Sequence, residues 1–320
     1  MFGKIILKIK EFGELVVFEH TLFSTPFIFV AMIAASRCNG DSGWFGWRLL
    51  ALAALAAIFA RNFAMSFNRF VDREFDAINP RTAARPSVDG RLSPALIAAF
   101  AAINAALFVA IAYFINNLAF ALAAPFLAVL ASYSYIKRFS YLAHLVLGLS
   151  LALAPMAGAI AVLDAAPLWA WVLSAGVLFW VAGFDLLYAL QDREFDAKMG
   201  LFSIPAKFGT ARTLIIARVF HAVTFICWLL FCRLADLGAL AFIGAIVSGA
   251  FLVAEHIIVL RGVAVGGEAS VSAEVSVGEA SVSAAGSVHI NRAFFVVNAW
   301  LGFVFFGFIA LESVIKAFYE

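Results

Sequence analysis

Hydrophobic residues in this chain run in long blocks rather than alternating with polar ones. A helix needs about 20 apolar residues to cross a bilayer core of about 30 Å. Nine stretches of that kind, free of clustered charge, begin near Glu14, Trp47, Pro94, Leu118, Tyr141, Leu168, Thr213, Leu237 and Ala293. Turns carrying Pro, Gly, Asn or charged residues separate most of them. A membrane β-barrel would show short alternating segments, and runs such as Leu49 to Ala60 do not alternate. The pattern predicts an all-α integral membrane protein with nine transmembrane helices. The first dozen residues differ. Phe2, Ile5, Ile6, Ile9 and Phe12 recur at helical spacing opposite Lys4, Lys8 and Glu11, which predicts an interfacial amphipathic helix over residues 1–13. No small-residue cleavage site follows it, so the segment is expected to be retained.

Composition strengthens this picture. Of 320 residues, 65% are hydrophobic and 13% charged, against about half and a quarter in soluble domains. A water-soluble fold of this length cannot hide so much apolar side chain. The net charge of +2 lacks the clustered basic excess of a nucleic-acid-binding protein. Where the charges fall is more informative, because cytoplasmic loops collect Lys and Arg. Sixteen of the 22 Lys and Arg residues fall in one alternate set of loops, and only Arg37, Arg48, Arg233 and Lys316 in the other. The remaining two, Arg61 and Arg218, lie within spans. This places the N-terminus in the cytoplasm and the C-terminus outside, and the short loops suit a bacterial inner (cytoplasmic) membrane. Cys38, Cys227 and Cys232 form no C-x-x-C pair, so neither a disulfide framework nor a zinc site is indicated.

Residues 262–289 contain only Gly, Ala, Ser, Val and Glu before a final His, and GEASVSA at Gly267 to Ala273 recurs at Gly278 to Ala284. Such a segment cannot bury enough apolar surface to fold alone. It reads as a low-complexity insertion in a cytoplasmic loop, ahead of a ninth helix over 293–318.

The sequence Asp-Arg-Glu-Phe-Asp-Ala occurs at Asp72 to Ala77 and again at Asp192 to Ala197, an offset of 120 residues. Each copy closes an even-numbered span and leads into a cytoplasmic loop. A duplicated four-helix unit, residues 14–136 and 141–260, explains this spacing and would turn both acidic clusters toward one central cavity open to the cytoplasmic side. Asn68, Asp72 and Asp76 are spaced i, i+4, i+8 and share one helical stripe, as do Asp185, Tyr188, Asp192 and Asp196. Paired carboxylates one turn apart suit Mg²⁺, a hard cation usually shared with substrate phosphates. Charge at membrane depth is costly and usually functional. Arg81, Arg85, Lys137, Arg138 and Lys198 flank the same motifs and are candidates to neutralise a diphosphate. Arg61 lies seven residues before Asn68, on the same face and about 10 Å deeper. It either pairs with Asp185 or binds the anionic group of a second substrate. His144, His221, Glu255, His256, Asn104 and Asn298 show no partner spacing, and helix-helix hydrogen bonding is expected of them.

With these residues in view, the chain resembles the UbiA superfamily of intramembrane prenyltransferases over nearly its whole length. The matching residues are Asn68, Asp72 and Asp76, then Asp192 and Asp196, with Arg-Thr-Ala-x-Arg-Pro at Arg81 to Pro86 and Tyr-Ala-x-x-Asp at Tyr188 to Asp192. Within the superfamily it looks most like the 4-hydroxybenzoate polyprenyltransferase branch, including futalosine-route menaquinone relatives. The stretches Tyr133 to Arg138 and Asp185 to Asp192 carry that likeness. Arg69 is a departure, standing where many members have Asp.

The resemblance implies Mg²⁺-dependent transfer of a polyprenyl group from a polyprenyl diphosphate to an aromatic acid, either 4-hydroxybenzoate or a dihydroxynaphthoate. The four aspartates and Asn68 would hold Mg²⁺ on the diphosphate, and Arg81, Arg85, Lys137, Arg138 and Lys198 would neutralise it. Arg61 would take the acceptor's carboxylate, and Asp185 or Tyr188 its hydroxyl. The same family with haem, chlorophyllide or homogentisate as acceptor is an alternative. A secondary transporter is another, disfavoured because the acidic motifs sit at helix ends. No protein partner is evident beyond membrane lipid and these substrates.

Overall fold

A computed structural model describes residues 2–16, 21–79, 82–268, 288, 290–291 and 293–319. The described secondary structure is entirely helical. Its helices are α1 (Phe2–Val16), α2 (Thr21–Cys38), α3 (Trp47–Val71), α4 (Arg73–Ile78), α5 (Pro94–Ile115), α6 (Asn117–Ile136), α7 (Ala143–Leu163), α8 (Leu168–Ala189), α9 (Arg193–Lys198), α10 (Ile204–Leu234), α11 (Ala239–Glu268) and α12 (Asn298–Tyr319). A 3₁₀ turn, Leu190–Asp192, joins α8 to α9, and a π turn, Ala293–Val297, leads into α12.

Eight spans among the described residues are long and apolar enough to cross a membrane, beginning at Trp47, Pro94, Asn117, Ala143, Leu168, Ile204, Ala239 and Ala293. The chain is thus a multi-pass membrane protein. The remaining expected span, placed at Glu14, corresponds to the shorter apolar helix Thr25–Cys38. A short helix opens at Ile204, where Ser203 caps it by accepting from the Ala206 amide at 3.3 Å; Gly209, at φ +75° and ψ 174°, leaves helical geometry, and the long helix that resumes beyond this kink carries the seventh span expected at Thr213. Helix α11 continues to Glu268, through the first part of the Gly/Val/Ala run, and residues 269–287 lie outside the described residues.

The chain divides into two compact units, one of Met1–Thr25 with Gly46–Tyr135, the other of Pro26–Phe45 with Ile136–Glu320. In the first, α3 packs along α5, and Phe108, Ala112 and Ala123 form a core with Ala56, Phe59 and Phe126. Asn62 Nδ2 donates to Asn104 Oδ1 at 3.1 Å. The apolar face of α1 is covered by protein at its end: Leu15 packs with Leu92 and Ile97, and the Phe12 ring stacks on Phe100 at 4.4 Å. Arg91 fixes this arrangement, reaching Glu14 at 2.5 Å, Asp89 at 2.6 Å and the Ala84 carbonyl at 3.0 Å.

In the second unit α8 is the central element, packed by α7 and α10. Glycines allow the close approach. A Cβ on Gly148 would meet the Leu178 carbonyl, and one on Gly158 would stand 2.5 Å from the Ile28 carbonyl. Phe27, Trp180, Trp228 and Phe305 form a buried aromatic centre, with Phe27 and Trp180 rings 5.0 Å apart and Trp228 and Phe305 stacked at 5.2 Å. Beside it, Asn298 accepts from Trp180 Nε1 at 2.7 Å and donates to Glu255 at 2.8 Å, and His221 meets His256 at 3.1 Å. The isolated polar residues of the sequence thus pair across helices, as apolar surroundings require of buried polar groups. Glu312 of α12 accepts from Arg37 at 2.6 Å and from the Gly238 and Ala241 amides at 2.6 and 3.1 Å, closing the start of α11.

Candidate functional site

The two acidic motifs adopt the same local fold. A long helix breaks at the first aspartate, with φ −89° and ψ 6° at Asp72 and φ −97° and ψ 4° at Asp192, and resumes as the six-residue helices α4 and α9. Those angles lie in the sparsely populated bridge region. Glu74 and Asp76 stand in the first turn of α4, and Glu194 and Asp196 in that of α9, where negative charge complements the helix N-terminus.

In the first copy the helical hydrogen bonding carries through the break, with Asp72 N to Asn68 O and Asp76 N to Asp72 O both at 2.8 Å. The expected stripe is therefore intact, and Asn68 Nδ2 donates to Asp72 Oδ2 at 2.7 Å. Asp72 is half-buried, whereas Asp76 is 7% exposed. Arg85 Nη1 reaches Asp76 Oδ1 at 2.6 Å, and Arg69 Nη1 stands 3.9 Å from Oδ2 and 3.4 Å from Asn68 Oδ1. Thr82 Oγ1 donates to the Asp76 carbonyl at 2.9 Å, holding the following loop against α4.

The second copy departs from the expected stripe. The 3₁₀ turn winds residues Leu190–Asp192 more tightly than an α-helix, so Asp185 and Tyr188 do not continue straight into Asp192 and Asp196. Asp196 is fully buried, and Lys137 Nζ lies 2.7 Å from its Oδ1. The Lys137 carbonyl accepts from Phe202 N at 2.9 Å, so this lysine clamps the loop after α9 by both backbone and side chain.

Each buried second aspartate thus has one predicted phosphate-binding cation beside it, Arg85 in one copy and Lys137 in the other. Arg138 and Lys198 are exposed beside the motifs, and Arg81 lies outside the described residues. Arg61 is half-buried with its Nε sealed from solvent, and that nitrogen donates no hydrogen bond among the described residues. The suggested partner of Arg61, Asp185, is engaged otherwise: its Oδ2 lies 2.6 Å from His144 Nδ1. Tyr188 packs its ring on Phe294 at 4.3 Å, within the cluster formed by Leu187, Leu190 and Ile290.

Sequence reasoning noted Arg69 only as a departure within the motif, not as a neighbour of Asp76, and missed His144 as a site neighbour. For Arg69 the signal was available, since it stands seven residues before Asp76 and hence on its face. For His144 no spacing to Asp185 exists to be read. The donor set of both motifs is all oxygen, and Asp76 Oδ2 is a buried carboxylate oxygen that accepts no hydrogen bond among the described residues. Both properties fit a hard divalent cation. Among the described residues no three His, Cys, Asp or Glu side chains converge as a metal-holding group, so an ion here needs further oxygens, such as those of a phosphate.

Residues 24–273 match the UbiA prenyltransferase family. The 4-hydroxybenzoate octaprenyltransferase of Albidiferax ferrireducens is 33% identical over 214 residues, 66% of this chain and 69% of that protein. The enzyme of the same name from Polaromonas sp. is 36% identical over 160 residues, 50% of this chain and 56% of the other. The chain therefore spans little more than half the length of several curated relatives it matches. Among solved structures, the apo UbiA homolog from Aeropyrum pernix K1 superposes with a TM-score of 0.77 at 27% identity, covering 92% of this chain and 98% of that one. The UbiA homolog from Archaeoglobus fulgidus bound to GPP and Mg²⁺ has the same fold, with a TM-score of 0.64 at 20% identity, covering 94% and 99%.

Proposed function

This chain belongs to the UbiA prenyltransferase family, and from that premise we propose that it transfers a polyprenyl group from a polyprenyl diphosphate to an aromatic acid in quinone biosynthesis. The names of its curated relatives favour 4-hydroxybenzoate as acceptor; a dihydroxynaphthoate is the alternative. The observation that carries the reading is the repetition itself. Two copies of one acidic hexapeptide break their helices at the same angles, and each buries its second carboxylate beside one cation.

In this reading Asn68, Asp72, Asp76, Asp192 and Asp196 hold Mg²⁺ together with the diphosphate. When bound, Mg²⁺ supplies charge neutralisation that makes the diphosphate a good leaving group. Arg81, Arg85, Lys137, Arg138 and Lys198 donate charge-assisted hydrogen bonds to the phosphate oxygens. Arg85 and Lys137 begin from the buried carboxylates and have only to extend toward an anion those carboxylates help to hold. Arg61, with an unmet buried donor, takes the acceptor's carboxylate, and Asp185 and Tyr188 help to orient the acceptor. The allylic C–O bond then ionises and the electron-rich ring captures the carbon cation, in surroundings whose apolar helices keep water from the cation. The site faces the cytoplasm, with the N-terminus inside, the C-terminus outside and the protein in the inner membrane.

Purified protein incubated with Mg²⁺, a polyprenyl diphosphate and either 4-hydroxybenzoate or 1,4-dihydroxy-6-naphthoate tests this. Prenylated product and pyrophosphate are expected with one acceptor, and both are lost in Asp72→Ala and Asp192→Ala. Pyrophosphate release without either product would overturn the acceptor, and no release under any condition would overturn the activity.

A further inference from the structure

His144 is the second residue of α7 and is only 4% exposed. Its Nδ1 lies 2.6 Å from Asp185 Oδ2. With the carboxylate accepting, Nδ1 carries a hydrogen, and the base form of such a ring has its lone pair on Nε2. Nε2 is sealed from solvent and has no hydrogen-bond partner among the described residues. A histidine kept only for packing would normally satisfy both nitrogens. Here one is fixed and the other is left as an oriented acceptor, the arrangement by which a carboxylate holds an imidazole as a base.

The duplication points the same way. At the 120-residue offset, Asp72 matches Asp192 and Asp76 matches Asp196, but Asp185 matches Met65. The Asp185 carboxylate therefore stands outside the repeated acidic motif. It lies seven residues before Asp192, about 10 Å further into the helix. In the prenyl-transfer reading above, that apolar side of the motif is where the carbon end of an ester held at Asp192 extends.

We propose that His144 is the general base of the transfer and that Asp185 is its positioning residue, an inference that rests on the prenyl-transfer reading above. The C1–O bond breaks with its electron pair leaving on the diphosphate. A ring π pair forms the new C1–C bond, the C–H bond at that carbon gives its pair back to the ring, and the proton passes to His144 Nε2.

The test uses purified protein in detergent, Mg²⁺, a polyprenyl diphosphate, and the aromatic acid that the wild type prenylates, unlabelled and deuterated at the reacting carbon. His144→Gln keeps a donor toward Asp185 but lacks the base. Its kcat is expected to fall by roughly 10²-fold or more, with a primary deuterium effect absent from the wild type. Pyrophosphate release by solvolysis continues. His144→Ala is expected to regain product when imidazole is added, and Asp185→Asn to lose it, because the amide favours the wrong tautomer. Wild-type kcat in His144→Gln would overturn the assignment. So would a parallel loss of product and pyrophosphate without an isotope effect or imidazole rescue, which would mark a purely structural histidine. Absence of prenylated product from the wild type would instead overturn the underlying prenyl-transfer reading, and the base with it.

Discussion

Asp76 and Asp196 are buried carboxylates that differ in how freely their partners can turn to water. Arg85 is 25% exposed and Lys137 37% exposed at the side chain, so removing either carboxylate strands a cation that can still find solvent. The stability loss is therefore expected nearer about 1 kcal/mol than the 3–5 kcal/mol of a fully buried pair. Asp76→Asn and Asp196→Asn should accordingly fold, as seen by an unfolding midpoint close to the wild type, while product formation disappears. Arg61→Ala makes a different prediction. If Arg61 binds the acceptor's carboxylate alike in ground and transition states, initial rates should show a raised KM for the acceptor with kcat and the KM for the polyprenyl diphosphate little changed. The acidic stripe of the first copy was readable because i, i+4 spacing converts directly into one helical face. The His144–Asp185 contact was not, because it joins residues on two helices whose packing no local pattern records.

Helix starts were legible to within a few residues where a proline stands directly at the head of a long apolar run, as at Pro94 and Leu168. They were hidden where polar residues fill a short helix ahead of a span: Lys207 and Arg212, on either side of the kink at Gly209, masked the start at Ile204. The close helix contacts at Gly148 and Gly158 were equally silent, since a glycine in an apolar run does not say what approaches it. Gly148→Leu and Gly158→Leu should each drive a side chain into a neighbouring backbone carbonyl. The expected cost is about 1–3 kcal/mol, measurable as a lowered unfolding midpoint in detergent. The α1 anchor carries a pH prediction. Burial alone would raise the Asp89 carboxyl, but hydrogen bonds from the Arg91 amide and guanidinium hold it below the usual carboxylate range. A depressed folded value means that this contribution is present above the ordinary carboxylate pKa and is lost as pH falls through the folded one. Amide exchange over residues 84–91, corrected for its intrinsic pH dependence, should rise at acid pH.

Across the whole molecule, the sequence blocks and the duplicated hexapeptide were sufficient to read the helical membrane fold and the family. The division of the chain was not legible in the same way. Residues 26–45 pack with the later unit, because small and aromatic side chains of α2 meet Gly158, Trp180 and Trp228, contacts with no sequence period. Orientation can be tested with a native probe. Cys38 ends α2 and is exposed, whereas Cys232 is buried and Cys227 half-buried. With the proposed topology, a membrane-impermeant maleimide should label Cys38 in spheroplasts without permeabilisation; labelling only after permeabilisation would invert the topology. Glu312 has a consequence of another kind, for the order in which the protein is made. It joins Arg37, 275 positions earlier, to the first amides of α11. The stretch Gly46–Tyr135 is contiguous and can pack while the ribosome is still working. Helix α2 is made before that stretch but finds its partners only in α7, α8 and α10 and, last, in Glu312. A nascent chain stalled before α7 should therefore keep α2 open to the insertion machinery and to proteases after α3 to α6 have closed, and one stalled before Glu312 should leave Arg37 and the start of α11 unclosed.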